Sequence, residues 1–163
     1  MPILYKNPAE VGADRIANGV AAYEEYGRLR GVPLIVADLG TATTFDAVTA
    51  RGEYLGGVIC PGPQIAAEAL FQRAARLPRV DVRKPPTVIG QSTVGAIESG
   101  LFYGYLGMVE GLIVRMTAEL GGGTITVATG GLAPLIAPET TLIQHVNADL
   151  TLHGLRIVWE RNH

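Results

Sequence analysis

The chain has 163 residues, a formal net charge of −2 and a single cysteine, Cys60. That length suits one domain able to bury its own core; the weak acidic balance argues against a dominant nucleic-acid or anionic-membrane surface, and one thiol excludes an internal disulfide and fits a reducing compartment. Charged residues make up 17% and hydrophobic residues 48%, with 21 glycines, a combination that predicts close-packed elements, tight turns and surface hidden in an oligomer.

Residues 1–7 read as an extended lead-in. Pro8 suits a first helical turn with Asn7 as its cap, so a helix is expected from about Ala9 to Tyr26, stopping at Gly27, with Val11, Ile16, Val20 and Tyr23 on its apolar face. Near its start stand Asp14 and Arg15. They read either as a solvated pair on a first turn, where an acid suits the helix dipole, or as a base beside a cation that orients an anionic substrate.

The stretch 33–62 organises the rest. Its apolar runs predict consecutive antiparallel strands at Leu34–Leu39, Thr43–Thr49 and Tyr54–Cys60, with Arg51-Gly52 as the second turn. Asp38 leaves the first strand and is followed by Gly40, Thr41 and Thr43. A carboxylate, a small residue and hydroxyls in that order can build a phosphate or cation site, or can satisfy a tight hairpin's own hydrogen bonds. A helix Gln64–Leu77 is expected next, with Ile65, Ala69, Phe71 and Leu77 partly inward. Arg73, Arg76, Arg79, Arg83 and Lys84 form a basic group, either a solvated helix end or an anion-attracting rim, and a proline-punctuated loop covers 78–90.

Ser92 is a plausible cap for the longest helix, running to about Leu120. Gly100, Gly104, Gly107 and Gly111 fall on one of its faces. Each costs roughly 1 kcal/mol against alanine, so the face predicts close approach of another backbone, within the domain or across a dimer. Thr93 offers a hydroxyl at the helix start. Thr124–Ala128 reads as a buried strand running into Gly130 and Gly131, a turn open to close contact with a ligand or an ordinary strand-to-helix turn. Thr140–Val146 is a further strand, and a last helix runs from Asp149 or Thr151 to about Arg161 with Leu152, Leu155, Ile157, Val158 and Trp159 inward. His145, His153 and His163 lack metal-ligand spacing, so no zinc site is expected. No run of about 18 uncharged apolar residues appears, and Met1-Pro2-Ile3-Leu4 lacks a signal-peptide layout, so no membrane span and a cytoplasmic location are expected.

The motifs taken in order resemble a known family. Gly12-Ala13-Asp14-Arg15, the run Asp38 to Asp46, the run Gly56 to Gly62, Leu70 to Ala75, Ala128 to Leu132 and Leu150 to Leu155 look like type III pantothenate kinase, within the acetate kinase, sugar kinase, Hsp70 and actin superfamily. The resemblance implies an α/β fold: one three-layer ribonuclease-H-like domain over 1–163, its mixed sheet having antiparallel first strands and flanking helices. It also implies ATP with Mg2+ and a monovalent cation, K+ or NH4+. Asp14 matches the proton acceptor for the pantothenate hydroxyl, and Gly12, Ala13 and Arg15 share its substrate motif. Asp38 matches the monovalent-cation ligand, Thr41 with Gly40 the ATP contact, Thr93 a pantothenate contact, and Gly130 and Gly131 the nucleotide-side glycines. These residues are expected to converge on one cleft.

Family members also carry an Asp-x-Gly-Asn-Thr phosphate motif in a preceding half, and nothing like it occurs here. The expectation is therefore a C-terminal half of such a kinase, weak or inactive alone and able to pair with a separate N-terminal half. The alternative is a non-catalytic, self-associating module in which a homodimer or higher homo-oligomer covers the exposed face.

Overall fold

The computed structural model describes residues 1–74 and 77–163. Ala75 and Arg76, part of the expected helix 64–77 and, for Arg76, of the basic group, lie outside the described residues.

In chain order the elements are α1 (Ala13–Ala22), β1 (Leu34–Leu39), β2 (Ala42–Val48), β3 (Tyr54–Pro61), α2 (Pro63–Arg73), α3 (Thr93–Ser99), α4 (Tyr105–Glu119), β4 (Ile125–Thr129), α5 (Ala133–Ile136), β5 (His145–Val146) and α6 (Leu150–Asn162). The strands form one sheet in the order β3-β2-β1-β4-β5. β1, β2 and β3 pair antiparallel, whereas β4 lies parallel to β1 and β5 parallel to β4. Helices cover both faces, which gives the three-layer α/β, ribonuclease-H-like arrangement expected from the sequence.

Strand alternation sorts the core into two layers. Ile35, Ala37 and Leu39 of β1, Phe45 and Ala47 of β2, and Ala128 of β4 face Phe102, Tyr105, Val109, Ile113 and Met116 of the long helical stretch. Leu34 and Val36, with Val48 and Val127, face Ala21 and Ala22 of α1 and Leu150 of α6. Burial of each large apolar side chain contributes about 1.5–3 kcal/mol. β1 is apolar on both sides because it lies mid-sheet; Asp38 is the polar residue at its end, on the α1 side.

The first three strands match their expected bounds to within a residue, and Gly52 makes the second turn with φ 78°. Other elements differ for identifiable reasons. The first helix is interrupted: Asn7 caps a short turn at Pro8–Glu10, α1 starts afresh at Ala13, and Tyr23–Gly27 is a π-helical turn. Ser92 does cap the long helix, its hydroxyl accepting from the Gly95 amide at 3.1 Å, but Gly100–Gly104 forms a π-turn between α3 and α4. Helix α2 ends at Arg73, with Ala74 already extended. Its Ile65 and Phe71 are exposed rather than inward, and Arg79 lies over the Phe71 ring at 4.5 Å. Of the expected strand at 140–146 only β5 forms.

The inward face of α6 was misread. Leu152 and Trp159 are 64% and 62% exposed, and Leu155 and Val158 are exposed too. Leu150 and Gly154 are the buried residues of this helix, with Ile157 packed beside them. A Cβ at Gly154 would fall 1.9 Å from the Ala17 carbonyl oxygen. Backbone-to-backbone contact with α1, rather than bulk, therefore sets the orientation of α6. Among the described residues the glycine face of the long helix has no closely packed internal partner, one of its expected uses: a Cβ at Gly100, Gly104 or Gly107 would meet nothing within 4 Å. No described helix is long and apolar enough to cross a membrane.

Candidate functional site

The candidate site lies where β1 and β4 end and β2 begins. Three glycine-bearing turns meet there. In the β1–β2 turn the Gly40 amide donates to the Ala42 carbonyl at 3.2 Å. In the turn after β3 the Gly62 amide donates to the Thr41 carbonyl at 3.0 Å. A Cβ at Gly62 would fall 2.3 Å from the Thr41 oxygen, so this contact admits only glycine. In the turn after β4, Gly130 has φ 88°, and a Cβ there would stand 2.6 Å from Asp38 Oδ1 and 2.8 Å from the Leu39 carbonyl oxygen. Carboxylate and carbonyl oxygens thus crowd a place that any larger residue would fill. Thr41 and Gly131 are exposed at the rim.

Helix α1 brings the second group of residues. Asp14, exposed at its first turn, accepts from the Arg15 amide at 2.9 Å. Asn18, one turn on, is 1% exposed and donates from Nδ2 to Asp38 Oδ2 at 3.3 Å. Burial pushes the Asp38 carboxyl above its ordinary range; the Asn18 amide opposes this, and the like charges of Asp14 and Asp46 add to it. Asp14 stands one helical turn before Asn18 on the same face of α1.

Arg15 points inward from the same turn. It is 8% exposed and grips Asp46, which is fully buried on β2: Nε donates at 2.8 Å and Nη2 lies at 2.6 Å from Oδ1. Tyr54 donates its hydroxyl to the same oxygen at 2.7 Å, and Thr44 donates to Oδ2 at 3.4 Å. Burial pushes the Asp46 carboxyl up against these donors, and burial followed by Asp46 raises the Tyr54 phenol. The Arg15 guanidinium is held charged: burial lowers it, but Asp46 more than compensates.

The sequence-predicted residues thus divide. Gly12, Ala13, Asp14, Asp38, Gly40, Thr41, Gly130 and Gly131 gather around the strand ends. Arg15 adjoins them with its side chain committed to Asp46. Thr93 is the exposed first residue of α3. Within the basic group Arg79 pairs with Glu68, Arg83 with Glu98 and Lys84 with Glu139.

Sequence reading missed Asn18, Asp46, Tyr54 and Thr151 as members of this region. The available signal was polarity out of place. Asp46 alternates with Thr44 and Val48 on a buried strand, and Asn18 interrupts a small-residue helix face; such groups require partners. Among the described residues no group of three or more His, Cys, Asp or Glu side chains could hold a metal ion. A lone carboxylate beside carbonyl oxygens is instead an all-oxygen donor set, which fits a hard cation of low charge.

A family model described as type III pantothenate kinase matches residues 1–115. Similar curated proteins, each named type III pantothenate kinase, come from Moorella thermoacetica, at 60% identity over 99% of this chain and 62% of the relative, and Koribacter versatilis, at 59% over 99% and 58%. Another, from Myxococcus xanthus, is 58% identical over 100% of this chain and 62% of its own length. The chain thus spans about three-fifths of the relatives it matches. Among solved structures, one described as a Baf family transcriptional activator from Campylobacter jejuni superposes with a TM-score of 0.68 over 99% of this chain and 68% of that one. Its identity is 22%, so the likeness speaks for the fold alone.

Proposed function

Since the chain belongs to the type III pantothenate kinase family, we propose that it supplies acceptor-side and cation-side residues for ATP-dependent phosphorylation of pantothenate. The observation that carries this reading is the crowding of Asp38 Oδ1 and the Leu39 carbonyl oxygen against the Gly130 turn, with Asp38 bonded to Asn18, one turn beyond Asp14 on α1. Phosphoryl transfer depends on holding donor and acceptor in line and on neutralising charge, with a carboxylate to accept the hydroxyl proton. Asp14 is the exposed carboxylate suited to that last task. Asp38, already aimed at the Gly130 turn, would hold a monovalent cation together with backbone oxygens, and the cation would neutralise phosphate charge there. Mg2+ would travel on the ATP phosphates. Gly40, Thr41, Gly130 and Gly131 would lie along the nucleotide, and Gly12, Ala13 and Arg15 along the pantothenate, with Arg15 also fixing the motif through Asp46.

Thr93, exposed at the start of α3, would contact pantothenate from its own chain or from a second copy. The exposed face at Gly100, Gly104 and Gly107 agrees with such a homo-oligomer. A cytoplasmic location belongs to the same proposal.

The test is calorimetry with pantothenate, ATP and KCl, followed by phosphate-transfer assays. These are run on the chain alone and with the part of the Moorella thermoacetica relative that it does not span. Pantothenate binding that Asp14→Asn retains, with turnover lost in at least one of the two assays, is the expected result. Absence of pantothenate and ATP binding in both settings, or full turnover by Asp14→Asn, overturns the assignment.

A further inference from the structure

A hydrogen-bond relay reaches Asp38 from the far end of the chain. Thr151, half-buried in the first turn of α6, donates its hydroxyl to Asn18 Oδ1 at 2.7 Å. Asn18, on α1 and 1% exposed, donates from Nδ2 to Asp38 Oδ2 at 3.3 Å. An amide has one acceptor end and one donor end. With its oxygen occupied by Thr151, its nitrogen is turned towards Asp38. Because Oδ2 is drawn back to α1, the other carboxylate oxygen, Oδ1, faces the Gly130 turn, where it stands 2.6 Å from the place a Cβ would take. The Gly154 contact with the Ala17 backbone, within the next turn of α6, fixes the distance between the two helices that this relay spans.

We infer that Asn18 and Thr151 are positioning residues that aim Asp38 Oδ1 at the Gly130 turn, so that the seating of α6 on α1 sets the geometry of the site. The functional half of this inference rests on the reading of Asp38 as a cation ligand; the relay itself does not. Partners of ligating groups commonly change metal affinity by about 10–100-fold when removed, and a single orienting carboxylate should feel such a loss.

Two measurements on the chain as it stands separate these halves. The first is the side-chain amide spectrum of Asn18. Its two Nδ2 protons should be well separated and protected from exchange in the parent chain. Thr151→Val, which keeps the shape and removes the hydroxyl, should lose that protection by about 2- to 10-fold, the worth of one hydrogen bond, while Thr151→Ser should retain it. An Asn18 amide unchanged in Thr151→Val overturns the relay. The second is thallium-205 NMR with Tl+ as the potassium probe. Thr151→Val and Asn18→Leu should weaken Tl+ binding by about 10-fold, with Thr151→Ser close to the parent. Loss of amide protection with Tl+ affinity unchanged overturns the positioning role. A parent chain that binds no Tl+ overturns the cation reading and with it the functional half, while the amide spectrum still decides the relay.

Discussion

Replacement of Asp46 by alanine probes the buried pair of Arg15 and Asp46. Asp46 is fully buried and receives Arg15, Tyr54 and Thr44, while Arg15 is itself 8% exposed. Removing the carboxylate strands a guanidinium with little water to replace its partner, and breaking one side of a buried pair costs about 3–5 kcal/mol. For a chain of this size each kcal/mol lowers Tm by about 2–4 °C, so Asp46→Ala should melt about 6–20 °C below the parent, read by circular dichroism and by urea unfolding. Removing both charges should behave otherwise: Arg15→Met with Asp46→Leu trades the pair for apolar packing, which is often neutral or stabilising. The pH dependence has a definite sign. Burial holds the Asp46 carboxyl above its ordinary value, so the folded state keeps that proton longer than the unfolded state. Its contribution to stability therefore falls as pH rises from the ordinary carboxylate range through the raised value, and Asp46→Asn should lack that decline. A loss below about 1 kcal/mol for Asp46→Ala, the range of an exposed pair, or a double variant as damaged as the single one, refutes the reasoning.

Glycine replacements give the remaining expectations. Gly154→Ala drives a Cβ to within 1.9 Å of the Ala17 carbonyl oxygen; despite alanine's better helix propensity it should lower stability by about 1–3 kcal/mol, and a rise in Tm would contradict the docking of α6 described above. Gly130→Ala combines φ 88° with a clash against Asp38 and Leu39, so Tl+ and ATP binding should fall by about tenfold or more while the fold survives, since strain of this kind costs about 1–3 kcal/mol; unchanged binding of both ligands would remove the Gly130 turn from the site. Gly104→Ala meets open space among the described residues and should raise stability by about 0.5–1 kcal/mol. If sedimentation instead shows that Gly104→Ala dissociates an assembly, a second copy uses that face.

The parts of this fold that were legible in the sequence are those decided by local physics. Apolar runs broken by Arg51-Gly52 and by the Gly40 turn specify β1, β2 and β3, and Ser92 announces its helix through one hydroxyl–amide bond. Position between layers is a different matter. Asp38 belongs to a recognisable motif, but no spacing along the chain tells which face of the sheet carries the long helical stretch, whose Phe102 and Tyr105 pack opposite α1. The face of α6 failed for a related reason. Hydrophobic periodicity weighs large side chains, and Leu152, Leu155 and Trp159 outweigh Gly154 in any such count, yet the contact that seats the helix is the one a side chain would prevent. The same blindness hid Asn18 and Asp46, whose polarity becomes informative only when their partners, Thr151 and Arg15, are known to be near. The site is thus built on two kinds of residue. Motif residues at the strand ends can be recognised in order along the chain, whereas buried polar residues between α1, α6 and β2 hold those motifs in place and can be assigned only after the fold brings positions 18, 46 and 151 into contact with residues far from them in sequence.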